Sequence, residues 1–364
     1  MTVYQTTLRV LSPIHIGDGD ELRQDFDFVT RGNQTWRLNE DAILRAKESL
    51  LHPKPNGTYP TLGELLREED YQNDQFFRYR LRGTPRSAKV DARVRSFIKD
   101  IHDCPYIPGS SLKGALRTAL AWTGWDEVQP QLDRNAIGRS KSWAGQPLEH
   151  KLFGPNPNHD LLRALQVGDL SGPSAPGEGL VLVNAQVVTR RESGSPVELE
   201  ALAGETSFHG RLAIDETLFT SWAESELHFG SRRHWLEELL PRLQRHSLAR
   251  IRQLAEWFEQ TEGCERLASF YRRLEAANIG KSAALVQLGW GAGWDGKTFW
   301  THLQRDARLF SQLLEDFRMR RGRGSPRPGA PFPTSRRVAM VVKEHVARPA
   351  APFGWALLEL APIS

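Results

Sequence analysis

Three stretches of the chain carry residue types that could do chemistry. In Tyr106 to Ala121, YIPGSSLKGALRTALA, a Gly-Ser-Ser turn opens a helical pattern. Ser110 or Ser111 is placed as an N-cap, Leu112 and Leu116 form a buried stripe, and Lys113 and Arg117 stand one turn apart on another face. Backbone N–H groups, the positive end of the helix dipole and two cations would then converge. That arrangement holds a phosphate, with the dipole worth about 0.3–1 kcal/mol at an exposed site. An ordinary capped helix with solvated cations has the same pattern, and the motif alone does not separate the two.

In Ser12 to Glu21, SPIHIGDGDE, His15 precedes Gly17, Gly19 and the acids Asp18, Asp20 and Glu21. Glycines let a backbone approach a ligand closely, and carboxylates bind divalent metals or position a nucleophile. Asp-Gly-Asp is equally ordinary turn chemistry, so a structural turn stands beside the chemical role. The third stretch, Gly291 to Thr298, GAGWDGKT, fits the phosphate-binding pattern GxxxxGK[ST] and follows an apolar run, Ala284 to Leu288. The rest of the chain argues against a nucleotidase. Few residues follow Thr298, too few for the parallel βα units such a core needs, and the later apolar run Val338–Val342 ends in Lys343 where a magnesium-holding Asp is wanted.

These residues must be held by elements of both kinds. Period-two alternation predicts strands over Val3–Leu11, Phe26–Thr30, Leu180–Arg190, Ser207–Ile214, Val338–Val346 and Trp355–Ala361. Apolar stripes predict helices over Leu112–Trp122, Ser247–Gln260 and Phe299–Phe317, and residues 215–276 read as almost continuously helical, broken near Gly230, Pro241 and Gly263. The expected class is α+β in two halves, 1–195 and 196–364, with the helical segment inserted in the second.

Composition sets the outer bounds. With 364 residues, 25% charged, eleven Trp and sixteen Phe, the chain is built to bury a core rather than to stay disordered. Two distant cysteines, Cys104 and Cys264, make neither a disulfide framework nor a thiolate metal site, so a cytoplasmic protein without cofactor or metal is expected. No run is long and apolar enough for a membrane span.

The net charge is only +4, but its distribution is uneven. Between Arg78 and Lys99 eight basic residues face one acid, Asp91, and a second basic cluster runs from Arg318 to Arg327. Such concentrations suit a polyphosphate partner through counterion release, although a solvated face looks the same in sequence. In FRYRLR, Arg78, Arg80 and Arg82 alternate with Tyr79 and Leu81, placing cations on one strand face. Gly83, Thr84 and Pro85 then turn the chain, and Lys89–Phe97 is expected to return as the partner strand of a cationic hairpin within about 70–100. Tyr79 is free to stack on a base or to pack underneath.

Taken together, SPIHIGDGDEL (12–22), YIPGSSLKGALRTAL (106–120), LGWGAGWDGKT (288–298), PFPTSRR (331–337) and PFGWALLEL (352–360) resemble the RAMP superfamily. In kind and order they are most similar to the subunit that caps the crRNA 3′ end in type III-A (Csm) CRISPR effector complexes. The resemblance implies two ferredoxin-like (RRM-like) modules, a β-hairpin thumb and binding of the guide through glycine-rich loops. It places His15, Gly17, Ser110, Ser111, Lys113, Arg117, Gly291, Gly293 and Lys297 in RNA-facing motifs, together with Arg336 and Arg337. Implied partners are crRNA, target RNA and the neighbouring backbone and small subunits, with no membrane. Slicing relatives use an Asp after the first strand, where Asp18, Asp20, Asp25 and Asp27 crowd here. The capping subunit is not a slicer, so no catalytic residue is assigned, and a metal-dependent ribonuclease stands as the alternative.

Overall fold

The computed structural model describes residues 1–86, 92–132, 134–137, 140, 143–189, 196–319, 332–343 and 346–363. The strands among them are β1 (Thr2–Val10), β2 (Gly17–Arg23), β3 (Phe28–Arg31), β4 (Gln34–Leu38), β5 (Phe77–Arg82), β6 (Arg93–Phe97), β7 (Tyr106–Ile107) and β8 (Leu165–Val167). They continue as β9 (Leu170–Ser171), β10 (Leu180–Thr189), β11 (Val197–Leu202), β12 (Ser207–Ile214), β13 (Ala283–Gln287), β14 (Ser335–Lys343), β15 (Val346–Pro352) and β16 (Trp355–Pro362). Two sheets result. In the first, β13, β16, β1, β12, β9 and β7 lie side by side, with β8 also on β12; in the second the order is β2, β6, β11, β10, β5, β4, β3, with β14 on β10 and β15 on β14.

Both sheets draw strands from either side of residue 195. β1 lies between β12 and β16, antiparallel to each, and the β10–β11 hairpin connects across 190–196. Alternation explains the individual strands: in β5 Phe77, Tyr79 and Leu81 are buried while Arg78, Arg80 and Arg82 are exposed. The expected pairing of that strand does not occur. β5 pairs with β4 and, in parallel, with β10, whereas β6 pairs with β2 and, in parallel, with β11. The β10–β11 hairpin is thus wedged between the two strands read as a cationic hairpin. Lys89 and Asp91 lie outside the described residues, as does the second basic cluster beyond Arg318.

The helices are α1 (Glu40–Lys47), α2 (Leu62–Leu65), α3 (Gly109–Val128), α4 (Arg134–Ile137), α5 (Gln146–Phe153), α6 (Ser221–Leu227), α7 (Arg233–Glu237), α8 (Leu239–Glu259), α9 (Glu265–Ala276), α10 (Trp300–Leu303) and α11 (Ala307–Asp316). The segment expected to be helical holds α6 to α9. Pro241 does not break it: it sits in the first turn of α8, where a missing N–H costs no intrahelical bond. The expected helix Phe299–Phe317 is divided instead, because Asp306 accepts from the amides of Arg308 and Leu309 and restarts the chain as α11. The main core joins the first sheet to α3, and a second cluster places Ile251, Phe258, Tyr271 and Trp355 between α8, α9 and the same sheet. Among the described residues no helix is long and apolar enough to cross a membrane.

Candidate nucleic-acid interface

The three glycine-bearing stretches, far apart in sequence, line one groove of about 740 Å³. Main-chain hydrogen bonds fasten the Ser12–Glu21 turn to the residue just before the third stretch, to the start of the C-terminal motif and to the chain after β6. Trp290 N–H donates to the His15 carbonyl at 2.8 Å, Gly354 N–H to the Pro13 carbonyl at 2.9 Å, and Ile98 N–H to the Ile16 carbonyl at 2.8 Å. Gly289 permits the first of these. It holds a φ of +79°, and a Cβ there would stand 2.6 Å from the His15 carbonyl oxygen.

His15, Gly17, Ser110, Ser111 and Lys297 line the groove as expected from their motifs. His15 is only 3% exposed. Burial, the largest influence, holds its imidazole below the ordinary histidine value. Lys297 is brought below the ordinary lysine range by desolvation. The same influence lowers Lys113, which stands half-buried on α3 and outside the groove lining.

α3 begins two or three residues earlier than an N-cap at Ser110 or Ser111 implies. Pro108 is the N-cap and makes no side-chain capping bond; the Gly109 amide donates instead to Asp169 Oδ1 at 2.7 Å. A carboxylate of the protein itself therefore takes part of the helix end, leaving Ser110 and Ser111 on the groove wall. Gly109 sits so close to the Val167 carbonyl and to Gly168 that a Cβ would overlap them. Gly109→Ala should accordingly cost about 1–3 kcal/mol by overpacking, read as a lower urea midpoint at unchanged m-value.

Other expected site residues lie elsewhere. Arg117 donates to Glu149 at 2.9 Å and Asp160 at 2.7 Å and covers the Phe153 ring, so its charge is committed within the fold. It lines an adjoining apolar cavity of about 420 Å³, not the groove. Arg336 is buried against Asp295, both guanidinium nitrogens at 2.8 Å, and is not an RNA-facing cation. Its neighbour Arg337 is exposed and lies over the Trp290 ring. Gly291 backs onto Phe353 and Gly293 onto Asp295, neither lining the groove. On β5, Arg78 pairs with Asp103, Arg80 with Asp74 while covering Trp36, and Arg82 is exposed; none of the three lines the groove.

Residues missed at the outset complete the wall. Arg95 and Ser96 of β6 and Trp290 line the groove, with Arg95 over the Trp290 ring at 5.7 Å. Arg95 was visible within the basic run, but only its strand partner β2 brings it beside the Ser12–Glu21 turn. The groove is not uniformly cationic. Asp20 and Glu21 line one side, and Glu21 lies 3.9 Å from Arg95.

The carboxylates considered for catalysis do not converge. Asp18 accepts from Ser96 Oγ and the Asp20 amide at one end of β2, while Asp27 accepts from the Arg23 amide at the other. Among the described residues no group of three or more His, Cys, Asp or Glu is placed to hold a metal. The phosphate-loop likeness also fails: Asp295 of that stretch is buried in an ion pair and the helix that follows, α10, has four residues.

A family match to the RAMP superfamily covers residues 7–294. CRISPR system Cms protein Csm5 of Streptococcus thermophilus is 32% identical over 190 residues, 46% of this chain and 51% of that protein. The match thus spans about half the length of the curated relative. Among solved structures, a chain of a Csm–crRNA–target RNA ternary complex of a type III-A CRISPR-Cas system is similar over 99% of this chain and 100% of its own, at 21% identity and a TM-score of 0.69. The crystal structure of T. onnurineus Csm5 is similar over 96% and 99%, at 22% identity and a TM-score of 0.61. These two structures speak to the fold.

Proposed function

The chain belongs to the RAMP superfamily, and from that premise we propose that it is a non-catalytic RNA-binding subunit of a type III-A CRISPR complex. It holds the guide (crRNA) backbone near its 3′ end, caps the filament of backbone subunits and meets target RNA and the small subunits as partners. One observation carries the reading: three loops separated by most of the chain close on a single groove that presents main chain, three serines, Arg95 and Lys297. Small side chains let a ribose-phosphate strand approach the backbone, and the cations meet its phosphates. The relative's name and the complex in which a similar chain sits supply the guide as the strand. We read the two sheets as two ferredoxin-like modules, a reading that must accommodate β1 between β12 and β16.

Binding of this kind is salt-dependent and weakly selective for sequence. Fluorescence anisotropy of a labelled crRNA at several salt concentrations tests it. Lys297→Ala and Arg95→Ala should each flatten the log–log salt slope by about 0.7, the contribution of one phosphate on a single strand. Arg117→Ala, whose charge is spent on Glu149 and Asp160, should leave the slope unchanged. An affinity independent of salt, or equal slopes in all three variants and the parent, removes the proposal.

A further inference from the structure

We propose that His15 makes the groove selective for ribose over deoxyribose, its Nε2 accepting a hydrogen bond from a 2′-hydroxyl of the bound strand. This rests on the RNA-binding reading above and adds the feature of the strand that the site recognises.

The ring's orientation is set from behind. Nδ1 lies 2.6 Å from the Glu200 main-chain oxygen. A carbonyl oxygen only accepts, so Nδ1 carries the proton, and in a neutral imidazole the other nitrogen then holds a bare lone pair. Burial favours that neutral form. Phe97 and Trp290 meet the ring edge-on at 6.3 and 6.1 Å, which fixes its plane. Nε2 is left with no hydrogen-bond partner among the described residues, although the side chain is 97% enclosed and lines the groove. It points toward Gly17, where a Cβ would stand 3.1 Å from it.

The backbone of a nucleic acid offers few groups to such an atom. Phosphate and ring oxygens are acceptors and would face a lone pair with a lone pair. The 2′-hydroxyl is a backbone donor, and deoxyribose lacks it. An acceptor set among phosphate-binding groups, behind a residue with no side chain, is therefore complementary to ribose. A base N–H or a bound water would satisfy Nε2 equally well, and neither would make binding depend on the sugar.

The test is anisotropy with the full chain and three labelled single strands of one sequence: RNA, 2′-O-methyl RNA and DNA with uracil retained. The parent protein should bind RNA about threefold to tenfold more tightly than either of the others, the worth of one hydrogen bond. His15→Phe should remove that preference by costing more affinity for RNA than for DNA. Gly17→Ala, which keeps the ring and its Glu200 bond but crowds Nε2, should do the same and decides the matter if the first variant does not fold. Equal affinity of the parent for RNA and DNA overturns the inference. So does 2′-O-methyl RNA binding as well as RNA, a preference surviving both substitutions, or losses equal on RNA and DNA. If the parent binds none of the strands, the RNA-binding reading itself falls.

Discussion

Replacing Asp295 with alanine is expected to destabilise the protein by about 3–5 kcal/mol, the cost of breaking a buried ion pair from one side. Asp295 is fully buried between Arg250 of α8, 2.7 Å away, and Arg336 of β14, 2.8 Å away; the arginine side chains are themselves 4% and 7% exposed. Removing the carboxylate strands two guanidinium groups in the interior. Arg250 also donates to the Ala292 carbonyl, so the helical segment, β14 and the glycine-rich loop would lose their common anchor together. Burial raises the Asp295 carboxyl, but the two arginine charges outweigh it and hold the group below the ordinary aspartate value. With the folded value depressed, this contribution is complete above the unfolded value and is lost as pH falls through the folded one. Neutral-range stability should therefore not change through Asp295. Urea unfolding at pH 7 is the measurement, and a loss under 1 kcal/mol would show that the triad does not anchor the loop.

Glu200→Ala should cost a similar amount, about 3–5 kcal/mol. The carboxylate is 1% exposed and accepts from Lys99 Nζ at 2.7 Å, Tyr79 Oη at 2.8 Å and the Phe97 amide at 2.9 Å. Its loss leaves a buried ammonium, a phenol and an amide unsatisfied. Because the stranded charge is the largest part, Lys99→Met in the same molecule should recover more than half of the loss, a coupling that a double-mutant cycle reads directly. Purely additive losses would mean that Lys99 reaches water once its partner is gone.

How much of this was legible beforehand follows from what local pattern can encode. Alternation in FRYRLR places three cations on one face correctly, and Ser207–Ile214 forms a strand with the expected ends. Alternation does not name a strand's neighbour, which is why β5 and β6 were read as a hairpin although β10 and β11 lie between them. The same limit governs single charges. Arg336 and Arg337 are equivalent in sequence, yet alternation along β14 buries one against Asp295 and exposes the other. Lys113 and Arg117 are one helical turn apart, but Glu149 and Asp160, contributed from after α4, draw Arg117 away. The glycine-bearing turns were legible because close main-chain approach needs glycine locally, while the bond from Trp290 to His15 that fastens the first turn beside the third depends on tertiary contacts.

The place of β1 has a consequence for synthesis. Thr2 pairs with Ile214 and Tyr4 with Pro362. β1 is therefore made before either neighbour, and β16 follows it only after the whole of the intervening chain. Contacts of such long sequence separation form slowly. Until then its unpaired edges are open to stray partners, and chaperone engagement with the nascent chain is the expected safeguard.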